Sequence, residues 1–169
     1  MRPPVFDATW PEEVQTLYRH DIQEIWNRQL APQVWNQYHN QLDYYLAIAG
    51  NQPQTILDVG CAQGTLALML AERGHTVTAA DLRPAFLAYA QSRYPHGNIQ
   101  FLAANVLEDE LPGQHDLIYA NQIVEHLVYP DRLLARLGQR LRPGGRLVMT
   151  TPNAAYFINR LPSFRALGD

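Results

Sequence analysis

The 169 residues predict a doubly wound, mostly parallel α/β sheet preceded by N-terminal helices. Three observations carry that expectation. From Thr55 onward, short apolar runs alternate with amphipathic stretches, as successive βαβ units with right-handed crossovers require. The apolar run Ile56 to Val59 passes into a small-residue turn, Gly60-Cys61-Ala62-Gln63-Gly64, and then into a helix. Acidic residues, Asp58 and Asp81, stand at the ends of two consecutive strand candidates.

Residues 1–52 form a segment of different character, rich in Gln, Asn, Trp and Tyr and without glycine before Gly50. Thr9 and Glu12 have capping-box spacing around Pro11, which predicts a helix start there. Val14, Leu17, Tyr18, Ile22, Ile25 and Trp26 then recur at helical spacing. Pro32 interrupts, and Val34 to Ala49 gives a second helix ended by Gly50 and Pro53. These helices are expected to pack onto a core spanning 53–153.

Within that core Ile56 to Val59 reads as the first strand, and Thr65 to Arg73 as a helix closed by Gly74. Thr76 to Ala80 is the second strand, and Pro84 to Tyr94 a helix with proline in its first turn. Ile99 to Ala103 and His115 to Ala120 are strands three and four. Pro130 to Leu141 reads as a helix stopped by Pro143-Gly144-Gly145, and Arg146 to Thr151 as strand five. Tyr156 to Asp169 has no evident strand, and residues 154–169 are expected to be the start of a truncated C-terminal part, with the sheet's last strands missing.

Bulk properties narrow the functional classes. The hydrophobic fraction of 47% is that of a globular protein. The formal net charge is -3, and phosphate-backbone binders are usually basic, so nucleic acid is not an expected partner. The arginine cluster Arg132, Arg136, Arg140, Arg142 and Arg146 falls mostly on a helix and its exit turn, where a solvated face is expected. With Cys61 as the only cysteine, no intrachain disulfide can form, and a reducing, cytoplasmic compartment is expected. No secretion signal or membrane span is predicted.

The chemistry concentrates at the end of the first strand. A ligand in a doubly wound sheet lies outside the carboxyl ends of the strands, where strand order reverses. Gly60 lets a ligand approach the backbone, and Gly64 lets the next helix begin tight against the sheet. Asp81 can accept both hydroxyls of a ribose. A dinucleotide would want Gly-x-Gly-x-x-Gly, whereas this turn is Gly-x-x-x-Gly with Asp58 two residues ahead. That carboxylate repels a pyrophosphate and suits an ammonium or sulfonium group, which favours S-adenosylmethionine over NAD.

Ile56 to Asn153 resembles the class I S-adenosylmethionine-dependent methyltransferases, within them the small-molecule groups containing the ubiquinone-biosynthesis O-methyltransferases. The resemblance rests on five pieces in order. Ile56 to Gly64 is similar to the first motif, Asp-x-Gly-x-Gly-x-Gly, with Ala62 in place of the middle glycine. Asp81 matches the ribose-binding acid, with Leu82 beside the adenine. Asn105 stands where an aspartate often reaches the adenine amino group, and Val106 would offer its backbone N–H to the ring. Asp116 to Gln122 resembles the fourth strand and the turn beside the methionine moiety, with Asn121 in contact. Leu141 to Leu147, with Thr151-Pro152-Asn153, resembles the entry to and exit from strand five. The resemblance implies a Rossmann-like fold, S-adenosylmethionine as cofactor, S-adenosylhomocysteine as product, and cofactor contacts from Asp58, Gly60, Cys61, Asp81, Leu82, Asn105, Val106 and Asn121. It implies a small-molecule methyl acceptor, with an oxygen nucleophile as first choice.

Other assignments stay open. Glu125-His126 stands where some relatives carry Glu-x-x-Glu-His; Gln122 replaces the first glutamate, so no metal is expected. His126 is the candidate catalytic residue, as a base on a substrate hydroxyl, or else it packs the turn after strand four. Trp26, Trp35, Tyr18 and Tyr38 either lid the pocket or pack the N-terminal helices. Nucleic-acid methylation lacks its signatures: neither an Asn/Asp-Pro-Pro-aromatic motif nor a Pro-Cys nucleophile is present. Protein methylation also ranks below a small acceptor, and oligomeric state is not specified. The rival class is a non-catalytic or incomplete binding domain, because the truncated chain by itself need not be active.

Overall fold

The computed structural model describes residues 1–94 and 98–152. In chain order the elements are α1 (Glu12–Asp21), a π-helical turn (Ile22–Trp26), α2 (Pro32–Ala49), β1 (Thr55–Val59), α3 (Thr65–Glu72), β2 (Thr76–Asp81) and α4 (Pro84–Ser92). They continue with β3 (Ile99–Ala103), β4 (His115–Asn121), a 3-10 turn (Val124–His126), α5 (Pro130–Gly138) and β5 (Leu141–Thr150). The strand order is β3-β2-β1-β4-β5, and every pairing is parallel. The expected doubly wound sheet is therefore present.

Alternation along the strands decides which helix covers which face. Ile56, Val77, Ala79, Leu117 and Tyr119 point to one side, where they pack with Leu42 and Leu46 of α2 and Leu66, Ala67 and Leu70 of α3. Leu57, Val59, Ala80, Ile118 and Ala120 point to the other, against Val106, Leu111 and Leu133 and Leu137 of α5. Because both faces are buried, the central strands read as continuous apolar runs. The chain leaves β1 toward β2 on one side while β4 pairs on the other, and this reversal opens a crevice at the carboxyl ends of β1 and β4.

Three local expectations need correction. Thr9 does not cap α1: its N–H and hydroxyl both donate to the Asp7 carboxylate, at 2.8 and 2.7 Å. The N-cap is Pro11, which leaves Thr9 two residues outside the helix, and the Pro11 carbonyl receives the first helical N–H groups, from Val14 and Gln15. The helix after strand four ends at Gly138, not Leu141. Pro143-Gly144-Gly145 therefore does not stop a helix but lies inside β5, in a bulge between the pairs His115–Leu141 and Leu117–Arg146. A Cβ on Gly145 would sit 2.9 Å from the Arg142 carbonyl oxygen and 3.0 Å from that of His115, so the bulge demands glycine.

Within the arginine cluster Arg132, Arg142 and Arg146 are exposed, as a solvated face requires, and several members also bond within the chain. Arg142 pairs with Asp116 at 2.8 Å, Arg136 donates to the carbonyls of Val106 and Asp109, and Arg146 donates to that of Ile48. Asp116 also accepts the Thr55 N–H and hydroxyl, which ties the start of β1 to β4; these bonds and Arg142 hold its carboxyl down at about 2. The expectations for Asn153 and for residues 154–169 lie outside the described residues.

Candidate functional site

A cavity of about 710 Å³ occupies the crevice at the carboxyl ends of β1, β2 and β4. All nine residues singled out from the sequence line it: Asp58, Gly60, Cys61, Asp81, Leu82, Asn105, Val106, Asn121 and His126.

The floor is the turn after β1. Gly60 sits at φ +71°, and a Cβ there would approach Ile123 Cδ1 at 3.2 Å, so glycine keeps the turn open beside the β4 loop. The N–H groups of Gly60 and Cys61 donate to the Ala80 carbonyl at 2.8 and 3.1 Å, which binds the turn to β2. Ala62 adopts φ +45°, a left-handed conformation that its Cβ disfavours. The replacement of glycine at this position is thus a conformational departure and not simply a small increase in size. Gly64, at φ +75°, is required by α4: its Cβ would lie 2.7 Å from Ala90 Cβ. The expected tight helix start is therefore a helix–helix contact.

Two buried carboxyl groups face this turn. Asp81 is 3% exposed; its Oδ2 accepts the Ala62 N–H at 3.0 Å, and its Oδ1 accepts the backbone N–H and Nε of Arg83, at 3.0 and 3.1 Å. Asp58 is also buried, and burial, reinforced by the Asp81 charge, raises its carboxyl to about 7, against a smaller opposing pull from the Ala67 N–H. A cation placed between them would relieve that repulsion. Burial and both carboxylates raise the Cys61 thiol well above its usual range, so Cys61 contributes backbone and bulk rather than a thiolate.

Beyond β2, Leu82 is 67% exposed and lines the cavity, as does buried Val106. Asn105 forms an Asx turn: its Oδ1 accepts the Leu107 N–H at 3.0 Å while its own N–H donates to Asp109. The second lone pair of that oxygen and the amide NH2 remain available to a ligand. At the end of β4, Asn121 Oδ1 accepts the Thr150 hydroxyl at 3.1 Å, and Gln122 follows at φ +53°. His126 is exposed on the 3-10 turn at the mouth.

The remaining wall comes from the N-terminal segment, and sequence reasoning missed most of it. Gln63 Nε2 donates to Glu24 Oε2 at 2.8 Å and to the Tyr38 hydroxyl at 3.1 Å, joining the π-helical turn and α2 to the glycine turn. Burial raises the Glu24 carboxyl to about 7, with the Asp21 charge adding to it and the Gln63 hydrogen bond opposing. Of the four aromatic residues considered as a lid, Tyr38 alone lines the cavity. Trp26 donates to Asp21 and Trp35 to the Ile25 carbonyl, while Tyr18 packs against Phe6 and Trp10. Glu24 stands beside Gln23 and close to Asp21, so its local sequence did not single it out, and its partner lies 39 residues away.

Residues 12–167 match the methyltransferase domain family. An uncharacterized methyltransferase of Mycobacterium bovis is 38% identical over 99 residues, covering 58% of this chain and 50% of that protein. A ubiquinone biosynthesis O-methyltransferase of Pseudomonas putida is 32% identical over 118 residues, covering 68% of this chain and 50% of that protein. This chain thus spans about half the length of these curated relatives. Among solved structures, an S-adenosylmethionine-dependent methyltransferase from Mesorhizobium loti superposes with a TM-score of 0.63 at 27% identity, covering 71% of this chain and 55% of that one.

Proposed function

This chain belongs to the methyltransferase domain family, and on that premise we propose that it binds S-adenosylmethionine in the β1/β4 crevice and directs methyl transfer to an oxygen of a small molecule. The observation that carries the reading is the paired placement of Asp81 and the Gly60 turn on one cavity: a buried carboxylate at the end of β2 beside backbone that a side chain would obstruct. The cofactor named by the Mesorhizobium loti neighbour and the O-methylation named by the Pseudomonas putida relative agree with it.

The residues present fit the group. Asp81 would hold the ribose hydroxyls in exchange for its Arg83 contact, Leu82 and Val106 would border the adenine, and Asn105 would offer it a polar group. Gly60, Cys61 and Asn121 would border the methionine moiety, and Asp58 would supply negative charge toward its cationic end. When bound, the sulfonium supplies an electrophilic methyl group whose carbon–sulfur electron pair returns to sulfur, leaving S-adenosylhomocysteine. The chain's share of the work is to position the acceptor and exclude water. His126, exposed on the 3-10 turn and lining the cavity, takes the proton from the acceptor hydroxyl. Residues 1–52 act as the wall of the pocket over a core of residues 53–153. No described helix is long and apolar enough to cross a membrane, and the cytoplasm, where Cys61 stays reduced, is the proposed setting.

Calorimetric titration of the chain with S-adenosylmethionine and S-adenosylhomocysteine, with NADH as control, tests the reading. Saturable binding of the first two that Asp81→Ala weakens at least tenfold supports it. A folded chain that binds neither overturns it in favour of a non-catalytic domain.

A further inference from the structure

Helix α2 carries a stripe of side chains that the cofactor site does not use. Gln33, Asn36, Gln37, Asn40, Gln41 and Tyr44 follow one another at helical spacing on one face, and all six are exposed. They line a second open cavity of about 770 Å³, whose opposite wall is Gln122, Thr150 and Thr151. Gln41, Tyr45 and Gln122 line this cavity and the cofactor cavity alike, so the two are continuous.

The chemistry of the stripe is unusual for a solvated helix face. Solvated faces normally carry Glu, Lys or Arg. Here five consecutive positions of the face are carboxamides, and no described residue lining the cavity is charged. None of the five carboxamides has a hydrogen-bond partner among the described residues, so their donors and acceptors are available to a ligand. Tyr44, 62% exposed at the end of the stripe, adds an open aromatic face. Gln122, at the junction of the two cavities, holds φ +53°, a left-handed conformation that a non-glycine residue seldom adopts.

We infer that this groove is the acceptor subsite and that it takes a neutral, polyhydroxylated molecule, a saccharide. A carboxamide offers donors and an acceptor in one plane, matching hydroxyl groups, which both donate and accept. An anionic acceptor would lack a cation here and would lose hydration without compensation. A flat apolar acceptor would strand the five amides against carbon. The C–H face of a sugar ring suits Tyr44, and the junction at Gln41 and Gln122 leads a hydroxyl toward the cofactor cavity. This deepens, and for its chemistry rests on, the methyl-transfer reading above.

Saturation-transfer NMR on the full chain tests the inference, with and without S-adenosylhomocysteine. The probes are methyl α-D-glucopyranoside, methyl α-D-mannopyranoside and methyl α-L-rhamnopyranoside, beside glucose 1-phosphate and caffeate. At least one neutral glycoside is expected to receive magnetisation. Asn36→Ala and Asn40→Ala are each expected to weaken its binding about five- to tenfold, the worth of one hydrogen bond, with unchanged thermal melting. Transfer to no glycoside, stronger binding of caffeate or the phosphate ester, or glycoside binding indifferent to both variants would each overturn it. A parallel titration with S-adenosylhomocysteine keeps the two readings apart. Its failure removes the cofactor assignment, while glycoside transfer to the unloaded chain still reads the groove.

Discussion

Asp21 and Arg93 form an ion pair at 3.1 Å in which neither side chain has any solvent exposure. Asp21 ends α1 and Arg93 follows α4, 72 positions later. Asp21 Oδ2 also accepts from the Tyr89 hydroxyl at 2.7 Å and from the Trp26 indole at 3.2 Å, while Arg93 donates to the Gln63 carbonyl at 2.8 Å. Burial raises the Asp21 carboxyl and lowers the Arg93 guanidinium, and each one's charge opposes the other's shift. The pair links the N-terminal segment to the glycine turn, and so to the cofactor cavity.

Removing one partner leaves a buried charge without compensation. Arg93→Met is expected to destabilise the chain by about 3–5 kcal/mol, measured by urea unfolding. Asp21→Leu combined with Arg93→Met should recover part of that loss. A double variant as unstable as the sum of the singles would show that the surrounding hydrogen bonds matter more than the pair.

The glycine turn gives two substitutions of opposite sign. Ala62→Gly relieves the left-handed conformation at φ +45° and is expected to stabilise by up to about 1 kcal/mol, less the added freedom of the unfolded chain. Gly64→Ala adds both left-handed strain and a 2.7 Å approach to Ala90, and should cost about 2 kcal/mol or more. Ala90→Gly added to Gly64→Ala removes the collision but not the strain, so thermal melting should show partial recovery.

Asp58 makes stability depend on pH. Its folded carboxyl titrates at about 7, above the ordinary aspartate value of 3.8, so the folded chain holds the proton more tightly than the unfolded one. Its contribution is therefore complete below pH 4 and is lost as pH rises through 7. The steepest slope from this group is about 1.4 kcal/mol per pH unit. Asp58→Asn should flatten the dependence between pH 5 and pH 8 and gain relative to the wild-type chain toward pH 8. Unfolding curves at those two values that shift equally in both proteins would rule out the assignment.

His126 separates catalysis from binding. His126→Gln is expected to leave S-adenosylhomocysteine affinity within about twofold while lowering kcat for a hydroxyl acceptor about 100-fold, the usual worth of a positioned base. Equal losses in affinity and rate would assign His126 to the cavity wall instead.

The sequence by itself determined the strand–helix alternation, because a strand buried on both faces must be apolar throughout and a surface helix cannot be. Ile56 to Val59 and His115 to Ala120 were legible for that reason. Gly60, Asp58 and Asp81 were legible as lining one crevice because a doubly wound sheet opens at the carboxyl ends of its strands. Tertiary structure alone decided the rest. Whether Thr9 capped α1 depended on where the helix began, with Pro11 at its N-cap, and whether Pro143 to Gly145 ended a helix depended on β5 pairing with β4. Glu24 and Gln63, like Asp21 and Arg93, are recognisable only as partners, and the sequence does not say which distant groups will share a buried site. The amide stripe of α2 shows the same division. Its spacing is written in the chain, but its meaning comes from the sheet that places Gln122 and Thr150 across from it, since a binding surface is made by the apposition of two elements.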